Sequence, residues 1–217
     1  MKLIAHRGGR GFGTDNTLEA MEAAVRAGVR MIETDVRMTA DNELIICHDA
    51  TVWGRSVGRT SFDDLKKIAP ERPLLAEVLE RLAGWVTFNI EVKDASMKAL
   101  ATMFAAYSIE GDTLVSSFSA EFLKGFKTSF PSVRTGHIYR LPYGHDKRLE
   151  NAVEIGAEVV LPYFNSISEE LIADAHGFGL EVYAWTVNEE KDFRKLQQWG
   201  VDGVITDRYL ELQALLD

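Results

Sequence analysis

Short apolar, β-branched runs alternate along this chain with stretches in which apolar side chains recur every three or four positions. The first kind predicts strands at residues 3–6, 31–36, 44–47, 87–92, 114–118, 134–139, 159–163, 181–187 and 203–206. The second kind predicts helices. NTLEAMEAAVRAG, from Asn16, sets Leu18, Met21, Ala24 and Val25 on one stripe and stops at Gly28. LLAEVLERLAG repeats the layout and stops at Gly84. SISEELIADAHGFG has Ser168 as its N-cap, and EEKDFRKLQQWG stops at Gly200.

Strand alternating with helix implies parallel strands joined by crossovers. One pair breaks the rule. Strands 31–36 and 44–47 are separated only by RMTADNE, in which Asp41-Asn42 is a turn signal. A link that short returns the chain antiparallel. Residues 44–47 therefore form an excursion from the second strand rather than a stave. Eight strand–helix units remain, which in about 200 residues make a small (β/α)8 TIM barrel. No linker or low-complexity tract divides the chain, so residues 1–217 are expected to be one barrel domain. An open doubly wound sheet is the competing architecture, but no GxGxxG follows the first strand.

Charge narrows the partners. The chain has 24 Lys and Arg against 33 Asp and Glu, a formal net charge of −9. That balance disfavours a nucleic-acid or anionic-membrane surface. It leaves room for an anionic small molecule wherever local cations or a metal reverse the field. The single cysteine, Cys47, excludes an intrachain disulfide and agrees with a reducing compartment. MKLIAHRGG has too short an apolar run for a signal peptide, and no segment approaches the roughly 18 apolar residues of a membrane span. The expectation is a cytoplasmic protein without stable membrane insertion. Oligomeric state has no signal.

The remaining question is why strands carry charged groups. His6 and Arg7 end strand one. Glu33 and Asp35 lie in strand two, and Glu91 and Lys93 end the next stave. Ser116 and Ser117 end the fourth, Trp185 is near the end of the seventh, and Asp207 follows the eighth. His48 closes the excursion. All fall at C-terminal strand ends, where barrels place their active sites. Glu33 and Asp35 share a face at i and i+2, as do Glu91 and Lys93. Singly, each has a plainer reading: a solvated Glu-x-Asp, a surface ion pair, a satisfied histidine, a packed Cys47 or Trp185. Jointly they converge on one rim. Three carboxylates in a small volume need protons or a cation. Oxygen-only ligands suit one divalent hard ion, Mg²⁺ or Ca²⁺.

IAHRGGRGFGTDNTLEA, MIETDVRMTADNELIICHD, NIEVK, AWTVN and GVITD together resemble, in order and from residue 4 to residue 207, the glycerophosphodiester phosphodiesterase family. The resemblance implies a barrel of the phospholipase C-like phosphodiesterase type. It implies a metal-dependent hydrolysis of glycerophosphodiesters to glycerol 3-phosphate and an alcohol. His6 and His48 would be the general acid and base. Glu33, Asp35 and Glu91 would hold the cation, Arg7 and Lys93 would contact phosphate, and Trp185 would line the glycerol side. Two features depart from the family pattern. Thr14-Asp15 stands where Pro-Glu is usual, and residues 49–75 are too few for a large cap, leaving an open pocket beside Trp53 and Arg55. The alternatives are a related barrel lyase or lysophospholipase D-like enzyme, and a binding protein without turnover.

Overall fold

The computed structural model describes residues 1–111, 113–140 and 145–216, and of residues 145 and 146 the backbone only. The strands are β1 Lys2–Ala5, β2 Met31–Met38, β3 Leu44–Ile46, β4 Thr51–Val52, β5 Arg55–Ser56, β6 Thr87–Asp94, β7 Thr113–Ser117, β8 Arg134–Tyr139, β9 Val159–Pro162, β10 Glu181–Ala184 and β11 Gly203–Thr206. The helices are α1 Leu18–Arg26, α2 Phe62–Ile68, α3 Leu75–Leu82, α4 Met97–Tyr107, α5 Ala120–Ser129, α6 His145–Glu154, α7 Glu169–Gly177, α8 Glu190–Gln198 and α9 Tyr209–Gln213.

Neighbouring strands run β1-β11-β10-β9-β8-β7-β6-β2, and β1 also pairs with β2. That last pairing closes eight parallel strands into the expected (β/α)8 barrel. β3 pairs antiparallel with β2, Val36 opposite Ile46, so the excursion leaves the barrel as the short RMTADNE link requires. It holds more structure than its sequence announced: the β4–β5 hairpin and α2. Ile45, Cys47, Val52, Val57, Leu65 and Ala69 form a small apolar cluster of their own beneath it. Cys47 is a packing residue, and burial pushes its thiol pKa up. Among the described residues, no helix is long and apolar enough to cross a membrane.

Period-two geometry divides each stave. Outward residues such as Val36, Val92, Val115, Val182 and Val204 pack with Leu79, Phe104, Phe126 and Phe193 of the helices. Inward residues Ile4, Leu114, Ile138, Val159, Leu161, Tyr183 and Ile205 fill the barrel. On several strands the next inward position is functional in type: Ile4 is followed by His6, Met31 by Glu33, Tyr183 by Trp185 and Ile205 by Asp207. One parity therefore makes the apolar plug and the polar rim above it. Ser168 caps α7, its hydroxyl accepting the Leu171 N–H at 3.1 Å.

Gly136 shows how tightly the plug is filled. A Cβ on this inward residue of β8 would lie 2.6 Å from Leu161 Cδ1 and 3.4 Å from Leu114 Cδ1. Gly136→Val is expected to destabilise the barrel by about 1–3 kcal/mol through overpacking. Thermal unfolding reads the change, and a Tm equal to that of the unsubstituted protein would show that the plug has slack.

Candidate active site

The turn after β1 sets the first half of the site. Arg7 takes a left-handed conformation, φ 49°, and Gly8 and Gly9 follow at 71° and 90°. Such a run costs a side-chain-bearing residue roughly 1–2 kcal/mol, and glycine much less. A Cβ on Gly8 would also strike Met21 at 2.6 Å. The turn aims the Arg7 N–H at Glu33 Oε2, 2.7 Å away. Arg7 Nη1 reaches Asp15 Oδ2 at 3.3 Å, so Asp15 meets this arginine despite its short arm. Arg7 Nε is buried and has no hydrogen-bond partner among the described residues. A buried guanidinium N–H without an acceptor is a place for an anion's oxygen.

The β2–β6 register sets the second half. Glu33 lies opposite Asn89, and Asp35 opposite Glu91. Glu33, Asp35 and Glu91 each bring an oxygen within 4.8 Å of the other two. Glu33 is 3% exposed and Asp35 1%. Burial, reinforced by the charges of Asp35 and Glu91, pushes Glu33 well above the ordinary carboxylate range. Burial raises Glu91 too, against the pull of Lys93. Lys93 Nζ lies 3.1 Å from Asp35 Oδ1 and also pairs with Glu91. Burial alone would lower the Lys93 ammonium; the two carboxylates hold it above its ordinary value. The cluster thus carries three acids and one fixed cation. That surplus of negative charge, presented only by oxygens, fits a hard divalent ion.

Asn16 braces the cluster from the α1 side. It is fully buried, with its backbone at φ 56°. Its Nδ2 donates to Asp35 Oδ2 at 2.9 Å, while its Oδ1 accepts from Thr34 at 2.9 Å. Asn89 sits below, its Oδ1 accepting from Ser116 Oγ at 2.7 Å. Sequence patterning missed both asparagines. The available signal for Asn16 was its position before the helix, since Asn tolerates left-handed backbone better than most residues. The patterning had also placed both Ser116 and Ser117 at the rim. Ser116 does abut the cluster, but Ser117 has the opposite parity and donates to the Val92 carbonyl at 2.9 Å.

The imidazoles flank the carboxylates. His6 Nε2 lies 3.9 Å from Glu33 Oε2, and Nδ1 lies 2.7 Å from Asp207 Oδ1. Asp207 is held in turn by Asn188, whose Nδ2 donates to Oδ2 at 2.8 Å and whose Oδ1 accepts the Asp207 N–H at 2.9 Å. Burial would raise Asp207, but hydrogen bonds from His6 and Asn188 outweigh it and hold the carboxyl below its usual range. An ionised Asp207 accepts from Nδ1–H, which leaves Nε2 as the free nitrogen. His48 enters from the excursion. Arg37 fixes its carbonyl with Nε at 3.0 Å and Nη2 at 2.9 Å. Its Nδ1 lies 2.7 Å from Asp49 Oδ1.

This difference in support predicts unequal effects. With His6 as a proton carrier, Asp207→Asn would lower kcat at least about tenfold, because it frees the imidazole tautomer. Asp49→Asn should do less, since the Asp49 side chain is 77% exposed. Steady-state kinetics on both variants tests the ranking; equal losses would contradict it.

The wall opposite is aromatic. Trp185 faces a cleft that also holds His6, Glu33, Asn89, Glu91, Ile138 and Leu161. Its Nε1 donates to the Leu161 carbonyl at 2.7 Å, which fixes the ring edge-on to Phe118 and Tyr163. On the other side, a cavity of about 190 Å³ is lined by Arg7, Asp15, His48, Asp49, Trp53 and Arg72 among others. Trp53, 82% exposed, stands at its edge. The eight residues to which the family resemblance gives roles, His6, Arg7, Glu33, Asp35, His48, Glu91, Lys93 and Trp185, therefore lie at one end of the barrel.

Known proteins match this chain over nearly its whole length. The sequence profile of the glycerophosphoryl diester phosphodiesterase family matches residues 6–211. A glycerophosphodiester phosphodiesterase of Caldanaerobacter subterraneus is 30% identical over 229 residues, spanning 94% of this chain and 93% of its own. A crystal structure from Silicibacter pomeroyi superposes with a TM-score of 0.90 at 26% identity, covering 100% of this chain and 93% of the other. An Oleispira antarctica phosphodiesterase, solved with the product sn-glycerol-3-phosphate, superposes with a TM-score of 0.88 at 22% identity, covering 100% and 97%. A match over nearly the whole chain, on a closed barrel of eight parallel strands, places it in the glycerophosphoryl diester phosphodiesterase family of enzymes.

Proposed function

We propose that this chain hydrolyses a glycerophosphodiester to glycerol 3-phosphate and an alcohol, with His6 and His48 moving the protons. The observation that carries the reading is the convergence of Glu33, Asp35 and Glu91 within 4.8 Å, with an imidazole 3.9 Å from Glu33. A phosphodiester anion repels nucleophiles and has a poor leaving group. Arg7, through an Nε without a hydrogen-bond partner among the described residues, and Lys93 neutralise the phosphoryl oxygens as charge builds on them. Glu33, Asp35 and Glu91 hold one divalent cation, Mg²⁺ or Ca²⁺, which when bound adds Lewis-acid neutralisation of the same oxygens.

One histidine takes the proton of the attacking hydroxyl, and the other gives a proton to the departing alcohol oxygen. With the neighbouring glycerol hydroxyl as nucleophile, the alcohol leaves and a cyclic phosphate forms. Water then opens that ring with the two proton roles exchanged. Trp185, Phe118 and Tyr163 form the apolar wall against which the glycerol carbons pack. The alcohol group faces the cavity beside His48 and Trp53.

Phosphorus NMR of sn-glycero-3-phosphocholine incubated with the protein and Mg²⁺ or Ca²⁺ tests this. Appearance of glycerol 3-phosphate is the expected result. Conversion of lysophosphatidylcholine alone would move the assignment to a lysophospholipase D-like activity. Binding of both without turnover would make the chain a phosphate-ester binding protein.

A further inference from the structure

The chemistry described so far occupies one end of the barrel, and the other end holds a larger cavity. The first residues of the strands surround a space of about 500 Å³ there, roofed in part by Tyr209, Gln213 and Leu216 of the C-terminal segment. Met31, Leu114 and Tyr183 give it an apolar floor. Lys2, Arg30 and Arg134 bring three positive charges to its wall. One carboxylate, Glu181, is shared by two of them, at 2.8 Å from Lys2 Nζ and 3.1 Å from Arg134 Nη2. The Tyr183 hydroxyl completes that network by donating to Glu181 Oε2 at 2.6 Å. Arg30 has no ion-pair partner among the described residues.

Among the described residues, three cations against one carboxylate leave a local positive surplus in a chain whose net charge is −9. Unpaired positive charge over an apolar floor makes a recognisable ligand environment. We propose that this cavity is a second binding site, for an amphipathic anion: a carboxylate or phosphate head on an alkyl body. The head lies between Arg30 and the Lys2–Arg134 pair. The body covers Met31, Leu114 and the Tyr209 ring. Because the staves separate this site from the rim of His6 and His48, it takes its ligand independently of the reaction.

Isothermal titration of octanoate into the full chain tests the site, with sn-glycerol 3-phosphate present to fill the active site. One-to-one binding is expected. Arg30→Glu should weaken it at least about tenfold, a change of roughly 1.4 kcal/mol. Lys93→Ala should leave it unchanged, which separates the site from the catalytic rim whatever the outcome of the turnover assay. Octan-1-ol, which has the body without the charge, should bind at least about tenfold more weakly. Absence of octanoate binding overturns the proposal, as does equal binding of octan-1-ol. Binding lost in Lys93→Ala and kept in Arg30→Glu also overturns it.

Discussion

His6→Ala and His48→Ala each lower kcat by about 10²–10⁴-fold, the usual worth of a positioned proton donor or acceptor. The two losses come from one cycle. In the proposed mechanism each imidazole takes a proton in one half of the reaction and returns it in the other, so the double variant should be little worse than the worse single one. Neither ring sits in the apolar core. The His6 side chain is 16% exposed and that of His48 36%, so both variants should retain the unsubstituted Tm within a few degrees. That separates lost chemistry from lost fold. Near-normal turnover by either folded variant would remove that histidine from the mechanism.

The alternation of strand and helix was enough to read the barrel, because crossovers between parallel strands need the intervening helices that the periodicity shows. The excursion was legible for the opposite reason, a link too short for any crossover. Its α2 was not read. Ser61 as N-cap, Asp63 and Asp64 in the first turn and Lys66 and Lys67 in the last were all present, but α2 is only seven residues long. Apolar periodicity is weak over so few positions, and Pro70 and Pro73 follow closely.

Within the site, the i, i+2 pairs were legible because a strand has a fixed period. The facing of Asp35 against Glu91 was not, since stagger between staves is a property of the closed barrel. The asparagines were harder still. Asn16, Asn89 and Asn188 act through hydrogen bonds to Asp35, Ser116 and Asp207, and a lone amide in a sequence carries no spacing to recognise. Asp207 was marked by its position after β11, but its bond to His6 spans 201 residues of sequence and is visible only in space.

Removal of divalent cations should abolish turnover, and Mg²⁺ or Ca²⁺ should restore it. The reason lies in the balance of charge. Lys93 offsets one of three clustered carboxylates, and burial denies the other two the help of solvent. Glu33 bears the largest strain, because burial raises its pKa and Asp35 and Glu91 raise it further. A group whose folded pKa lies above its unfolded value withdraws stability as pH rises above the unfolded value, since the folded chain must then hold an unwelcome charge or a proton. Glu33→Gln removes that charge. In chelator above neutral pH it should therefore raise Tm while leaving the protein inactive, and added cation should neither restore activity nor raise Tm as it does in the unsubstituted chain. Thermal scans and turnover measured on the same samples, with and without Mg²⁺, read both effects. Full activity of Glu33→Gln in chelator would show that the three acids serve some purpose other than holding a cation.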